Sequence, residues 1–156
     1  MRRIPAGAAG FIARRAARFF RGAKPVPLGG LIRDARRSGG FSWSPATGRQ
    51  PVRGYMVATT GRTAQFPESI LDDPDAAARA IDRYLRDNRD VFEKRRDIYL
   101  GCWIEDGKVW LEPSRNIPRR RTAIKLARET DQIAVYDVRT RGYIDTGGTG
   151  GFLEEA

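Results

Sequence analysis

Apolar and polar positions beyond residue 40 fall into a pattern of five strands and two helices. Phe41–Ser44 is a short strand ended by the turn-forming Pro45-Ala46-Thr47-Gly48. Val52–Thr60 predicts a second, with Tyr55 and Val57 on one face and Met56 and Ala58 on the other, and Thr63–Phe66 extends it past a turn at Gly61. A helix starts after Asp73, which supplies an N-cap carboxylate before Pro74 at the first helical position. Ala77, Ile81, Tyr84, Leu85, Val91 and Phe92 keep the three-to-four spacing of a buried stripe. They predict one helix reaching Lys94-Arg95-Arg96, where cations suit the negative end of the dipole.

Ile98–Ile104 and Lys108–Glu112 flank Glu105-Asp106-Gly107, a hairpin signal of the Asp-Gly kind. The first of these strands is apolar on both faces, which predicts a central strand covered on both sides. Pro113–Ile117 leads into a second helix, with Pro118 near its start and Ala123, Ile124, Leu126 and Ala127 inward. Ile133–Val138 is the last full strand, and Tyr143-Ile144 returns beside it after Thr140-Arg141-Gly142. The order β-β-α-β-β-α-β predicts a single α+β domain over residues 41–146, an antiparallel or mixed sheet carrying two helices. Residues 147–156 read as a Gly-rich exit and an acidic tail.

The first forty residues read differently. On a 100° wheel Ala8, Phe11, Ile12, Ala16, Phe19 and Phe20 gather on one side and Arg14, Arg15, Arg18 and Arg21 on the other, the pattern of a cationic amphipathic helix. Lys24–Gly30 reads as an extended linker, and Leu31–Arg37 as one more basic turn before Ser38-Gly39-Gly40. Residues 1–40 thus form a basic arm and a Gly/Pro linker, and a chain cut at residue 38 is expected to fold.

Charge sharpens that division. The chain of 156 residues has 29 Lys+Arg against 19 Asp+Glu, a net charge of +10. Ten of those cations, Arg2, Arg3, Arg14, Arg15, Arg18, Arg21, Lys24, Arg33, Arg36 and Arg37, stand in residues 1–40 against the single acid Asp34. The remaining 116 residues are therefore close to neutral. Four readings compete for the arm: a grip on phosphate backbone, an anionic membrane surface, a targeting peptide, or docking on a partner protein through Phe11, Ile12, Phe19 and Phe20. No secretory signal and no apolar stretch long enough to span a membrane is read in the sequence.

Candidate chemistry is sparse. The absence of His excludes His-based triads and imidazole metal sites, and the single Cys102 excludes an internal disulfide. Cys102 reads as a small buried hydrophobe rather than a nucleophile. Glu105 and Asp106 occupy a solvated hairpin tip. Glu129-Thr130-Asp131-Gln132, where a helix meets a strand, reads first as a helix end and second as a site. The glycines of Gly147–Gly151 lack the Lys-Ser/Thr of a phosphate-binding loop. Trp43, Trp103 and Trp110 have a base-stacking reading, but cross-strand packing accounts for Trp103 and Trp110. Arg119-Arg120-Arg121 opens the second helix, where the dipole disfavours cations; an acidic partner, a phosphate or plain solvation each fits, and solvation leads. Arg139 and Arg141 extend a basic rim. No cofactor and no metal is expected.

Gly39-Gly40-Phe41, Gly54-Tyr55-Met56-Val57, Gly101-Cys102-Trp103-Ile104, Val109-Trp110-Leu111-Glu112 and Ala127–Asp137 together resemble a group of small uncharacterised proteins of bacteriophages and integrated elements. That group shows a Gly-Gly-Phe start, a Gly-Tyr-x-Val strand, a Gly-Gly-Trp hairpin and an Arg-Glu-Asn-Asn-Gln helix end. The resemblance covers about residues 39–146. Cys102 replaces the second hairpin glycine, and Thr130-Asp131 replaces the paired asparagines. The resemblance implies a phage setting and no activity.

These readings lead to a non-enzymatic bacteriophage protein, a minor virion component whose arm binds a capsid or portal surface or packaged DNA, located in the virion or the host cytoplasm during infection. One alternative is a non-virion phage protein that binds host factors. Another is an enzyme with a site near Glu129–Gln132.

Overall fold

A computed structural model describes residues 24–151 of the chain. The described residues form an α+β fold of four helices and a seven-stranded antiparallel sheet. Helix α1 (Leu28–Ser38) precedes β1 (Gly40–Trp43), β2 (Tyr55–Ala58) and β3 (Ala64–Pro67). A 3₁₀ turn (Glu68–Asp72) leads into α2 (Pro74–Asp87) and α3 (Arg89–Lys94). The chain continues as β4 (Ile98–Glu105), β5 (Lys108–Ile117), α4 (Arg120–Glu129), β6 (Ala134–Asp137) and β7 (Gly142–Asp145).

The strands lie in the order β1-β4-β5-β2-β6-β7, and β3 shares the β2 edge of β5. β3 takes Lys108–Leu111 and β2 takes Ser114–Ile117, so Glu112 and Pro113 fall between the two on that edge. Pro113 has no N–H to give a ladder, and a break in the pairing is where a proline inside a strand is tolerated. The expected end of this strand at Glu112 is therefore corrected: it runs on through the proline to Ile117. The β4–β5 turn is the two-residue Asp106-Gly107 loop, with φ of 50° and 71° as the favoured hairpin twist requires.

Two helices were expected in the domain beyond residue 40, and four are present among the described residues. Lys24–Gly30 and the turn after it are not a linker. Leu28–Ser38 is helical despite Gly29 and Gly30, because Leu31 and Ala35, four residues apart, are buried against the sheet. Val26 joins them in the core. This burial outweighs the weak helix propensity of the glycines. Gly39, at φ 83°, ends the helix in the left-handed conformation and returns its N–H to Ala35. The helix after Asp73 forms as expected, its carboxylate accepting from the N–H groups of Asp75 and Ala76. It is not continuous to Lys94, however. The buried Asn88 interrupts it, its side-chain amide donating to the Tyr84 carbonyl at 2.8 Å.

The helices all pack on one face of the sheet. A larger cluster joins Leu31, Ala35, Ile81, Leu85 and Phe92 to Trp43, Leu100, Cys102, Val109 and Leu111. A smaller one joins Ala123 and Ala127 of α4 to Val57, Ile117 and Val135. By register, Tyr99, Gly101, Trp103, Trp110, Glu112, Ser114, Met56, Tyr136 and Tyr143 point to the opposite face, which bears no described helix. The expected cover on both sides of β4 is thus a helix layer on one side only.

Candidate functional site

Pairing brings five strand ends, from four separate stretches of chain, to one end of the sheet. β4 begins there, opposite Arg115 of β5; β5 ends there, with Ile117 opposite Tyr55 at the start of β2. β6 ends there with Asp137 opposite the same Tyr55, and β7 begins there with Gly142 opposite Asp137. The residues just outside these strand ends are Arg96, Arg119, Arg53, Arg139 and Arg141, and α4 adds Arg120 and Arg121 in its first turn. All seven arginines are exposed, and none has an ion-pair partner among the described residues.

The two acids nearby are already engaged. Asp97 sits between Arg95 and Arg115, accepting at 2.9 and 3.0 Å. Burial raises its pKa, but those arginines outweigh it and hold the carboxyl below its ordinary value. Asp137 accepts from the backbone N–H groups of Arg139 and Thr140, fixing the β6–β7 turn that carries Arg139 and Arg141. Side-chain and main-chain ties at Arg53 complete the rim: the Asn116 amide donates to its carbonyl at 2.9 Å, and Val138 donates to the carbonyl of Gly54 beside it.

Lys24 stands at the same end. Its N–H donates to Pro45, two residues beyond Trp43, and Trp43 pairs with Leu100 near the start of β4. The segment of six arginines and no acid in residues 1–23 therefore joins the fold beside the arginine rim. Carboxylates gather at the other end of the strands: Glu105 and Asp106 at the β4–β5 tip, Glu68 beside it, and Asp145 at the end of β7. Lys108 and Arg128 stand among them, so the contrast between the two ends lies in the unpaired arginines of the rim.

Arg2, Arg3, Arg14, Arg15, Arg18, Arg21, Phe11, Ile12, Phe19 and Phe20 lie outside the described residues. Of the arm cations within them, Arg36 pairs with Asp72 at 2.5 Å and Arg37 with Asp34 at 3.2 Å, while Lys24 and Arg33 are exposed. Arg120 and Arg121 line an open groove along α4 with Ile124, Lys125, Arg128 and Glu129.

The polar loop after α4 is occupied with holding its own backbone. Asp131, at φ 54°, accepts from Thr149 through both its N–H and its hydroxyl, and from the N–H of Gly151. Those hydrogen bonds hold its carboxyl below the ordinary range. Gln132 is buried and donates to the Thr130 carbonyl; Thr130 donates to Leu126; Glu129 reaches Lys125. These side chains diverge. The Gly-rich segment is clasped by Asp131 rather than by a phosphate.

On the helix-free face, Trp103 and Trp110 stack with parallel rings 5.8 Å apart, as their cross-strand positions suggest. Trp110 Nε1 is buried and has no hydrogen-bond partner among the described residues. Glu112 lies beside Gly101, where an added Cβ would stand 3.1 Å from Ser114 Oγ and 3.4 Å from Glu112 Cγ. Burial pushes the Glu112 carboxyl up to about 8, against a weak hydrogen bond from Ser114 at 3.5 Å. Its burial carries no signal in the sequence, where an acid in a strand beside an aromatic is ordinary. Cys102 is buried on the helix side, and burial pushes its thiol up to about 12. It is therefore a thiol, not a thiolate, at neutral pH. Among the described residues, no three His, Cys, Asp or Glu side chains group to hold a metal, and no helix is long and apolar enough to cross a membrane.

No protein-family model matches the chain, and neither a curated protein nor a solved structure shows significant similarity to it.

Proposed function

We propose that this is a non-enzymatic, nucleic-acid-binding protein of a bacteriophage, a minor component of the virion, with the arginine end of the sheet and residues 1–23 gripping phosphate backbone together. The observation that carries the reading is the convergence of seven exposed arginines from four stretches of chain, beside the point where the acid-free segment joins. A guanidinium suits this task because it is always charged and binds phosphate oxygens in a fork. The phage setting rests on the resemblance of residues 39–146, and the place in the virion on the division between a near-neutral body and a strongly basic first quarter of the chain.

Phosphate contact has a quantitative signature. Each phosphate neutralised on duplex DNA contributes about 0.9 to the slope of log affinity against log salt. The full chain is expected to show a steep slope, and the triple variant R119Q/R120Q/R121Q a slope lower by about 2 to 3. Binding that ignores salt, or a triple variant that binds like the parent, overturns the reading. Mass spectrometry of purified particles tests the virion assignment separately.

A second reading has one observation in its favour. Val52 is 86% exposed beside Arg53, so part of the rim is apolar as well as basic. That mixture suits an acidic protein surface, such as a capsid or portal subunit or a host factor, and would show as binding that persists at high salt.

A further inference from the structure

The structure points to a more specific ligand for the basic end: we infer that it takes unpaired nucleic acid, with a base stacked on Tyr143 and the neighbouring phosphates held by Arg53, Arg139 and Arg141. The inference rests on the nucleic-acid reading above and goes further than it, since a rim of arginines alone does not distinguish a duplex from a single strand.

Tyr143 is the distinguishing feature. It is the second residue of β7, just past the turn that carries Arg139 and Arg141. Its side chain is on the helix-free face and is 73% exposed, an unusual degree for an aromatic ring held in a strand. Register and contact explain how the ring is held out. Tyr136 stands directly opposite on β6, with ring centroids 5.2 Å apart and planes tilted by 56°, and Met56 is buried on its other side. Tyr136 thus backs one side of the Tyr143 ring, and the solvent-facing remainder is left to a ligand.

The charges around it suit a phosphate chain. Asp137, the acid nearest the turn, spends an oxygen on two backbone N–H groups. Arg53 lies one residue before Gly54, whose carbonyl receives Val138 at the foot of the same turn. Partial burial raises the pKa of the Tyr143 hydroxyl, with Tyr136, Glu112 and Glu105 adding to the effect, and burial keeps Glu112 largely protonated at neutral pH. A flat ring at the mouth of a cationic rim is the arrangement used for single strands, because an unpaired base offers its face to the ring whereas a paired base is covered by its neighbours.

The test is fluorescence anisotropy of the full chain with a labelled twenty-nucleotide oligothymidylate and with a twenty-base-pair duplex, at one fixed salt concentration. Wild-type protein is expected to prefer the oligothymidylate. Tyr143→Ala is expected to weaken that complex about tenfold and to leave duplex binding within about twofold; Tyr143→Trp is expected to restore it. Tyr143 is exposed, so thermal melts of both variants are expected to overlay the parent. Equal affinity of the wild type for duplex and single strand, or a Tyr143→Ala variant that loses neither or both equally, overturns the inference and leaves the proposed function standing. Failure of the wild type to bind either probe overturns both.

Discussion

The backbone N–H of Lys24 donates to the Pro45 carbonyl at 2.9 Å, fastening the start of the described chain beside the end of β1. Just beyond it Val26, Leu31 and Ala35 enter the core. The body therefore reaches back at least to Lys24 and does not begin after residue 38. A chain lacking residues 1–23 is expected to keep the cooperative melt of the parent. One lacking residues 1–38 is expected to be unfolded or molten, since it strips α1 from Trp43 and Leu100. Leu31→Ala alone should cost about 2–5 kcal/mol in urea unfolding.

Gly40 and Gly39 differ in what a methyl group would meet. At Gly40 an added Cβ would lie 2.3 Å from the Cys102 carbonyl oxygen and 3.1 Å from Trp103 Cα, both backbone atoms of the paired strand. At Gly39 nothing stands within 4 Å, and the cost is the φ of 83° alone. Gly39→Ala should cost about 1–2 kcal/mol. Gly40→Ala should cost more, on the order of 3 kcal/mol, because no rotamer relieves the clash. Denaturant titration of the two variants decides the order.

Glu112 links folding to pH in the sense opposite to an ion-paired carboxylate. Its carboxyl, ordinarily at 4.5, is pushed up to about 8 by burial, so the folded state holds the proton more tightly than the unfolded chain. The stability it contributes is full below about pH 4.5 and is gone once the pH has risen through about 8. Glu112→Gln keeps the shape and removes the titration. Its melting temperature at pH 8.5 is expected to exceed the parent's by about 3–10 °C, and to change less between pH 5 and 8.5.

Asp131 works in the other direction. Hydrogen bonds from Thr149 and Gly151 hold its carboxyl low, so the clasp is present above the usual carboxylate range and is lost as the pH falls through its lowered value. Asp131→Ala should speed amide hydrogen exchange at Thr149 and Gly151 by about tenfold or more, with little change in the strands. Unchanged exchange at those two amides would contradict the clasp.

Local chemistry was legible in the residues that carry it. Asp73-Pro74 marks a helix start because the cap and the missing N–H act within one turn. Asp106-Gly107 marks a hairpin because its φ values belong to those two residues. Glycines misled at Gly29 and Gly30, where burial of Leu31 and Ala35 one to six residues on outweighed local preference. Pro113 misled for the same reason, since the break in pairing that accommodates it is made by β2 and β3, some fifty residues earlier.

The candidate site divides along the same line. From the amino-acid order alone come the +9 of the first forty residues, the triple arginine at the start of α4, the pair around Thr140, and the lack of any His for acid–base chemistry. That Arg53, Arg96, Arg119 and Arg141 share one end of a sheet was decided only by strand register, a property of contacts between residues far apart in the chain. So was the exposure of Tyr143, because alternation places a side chain on a face but does not say which face the helices cover. Charge is additive and is read by counting; its direction in space comes from pairing.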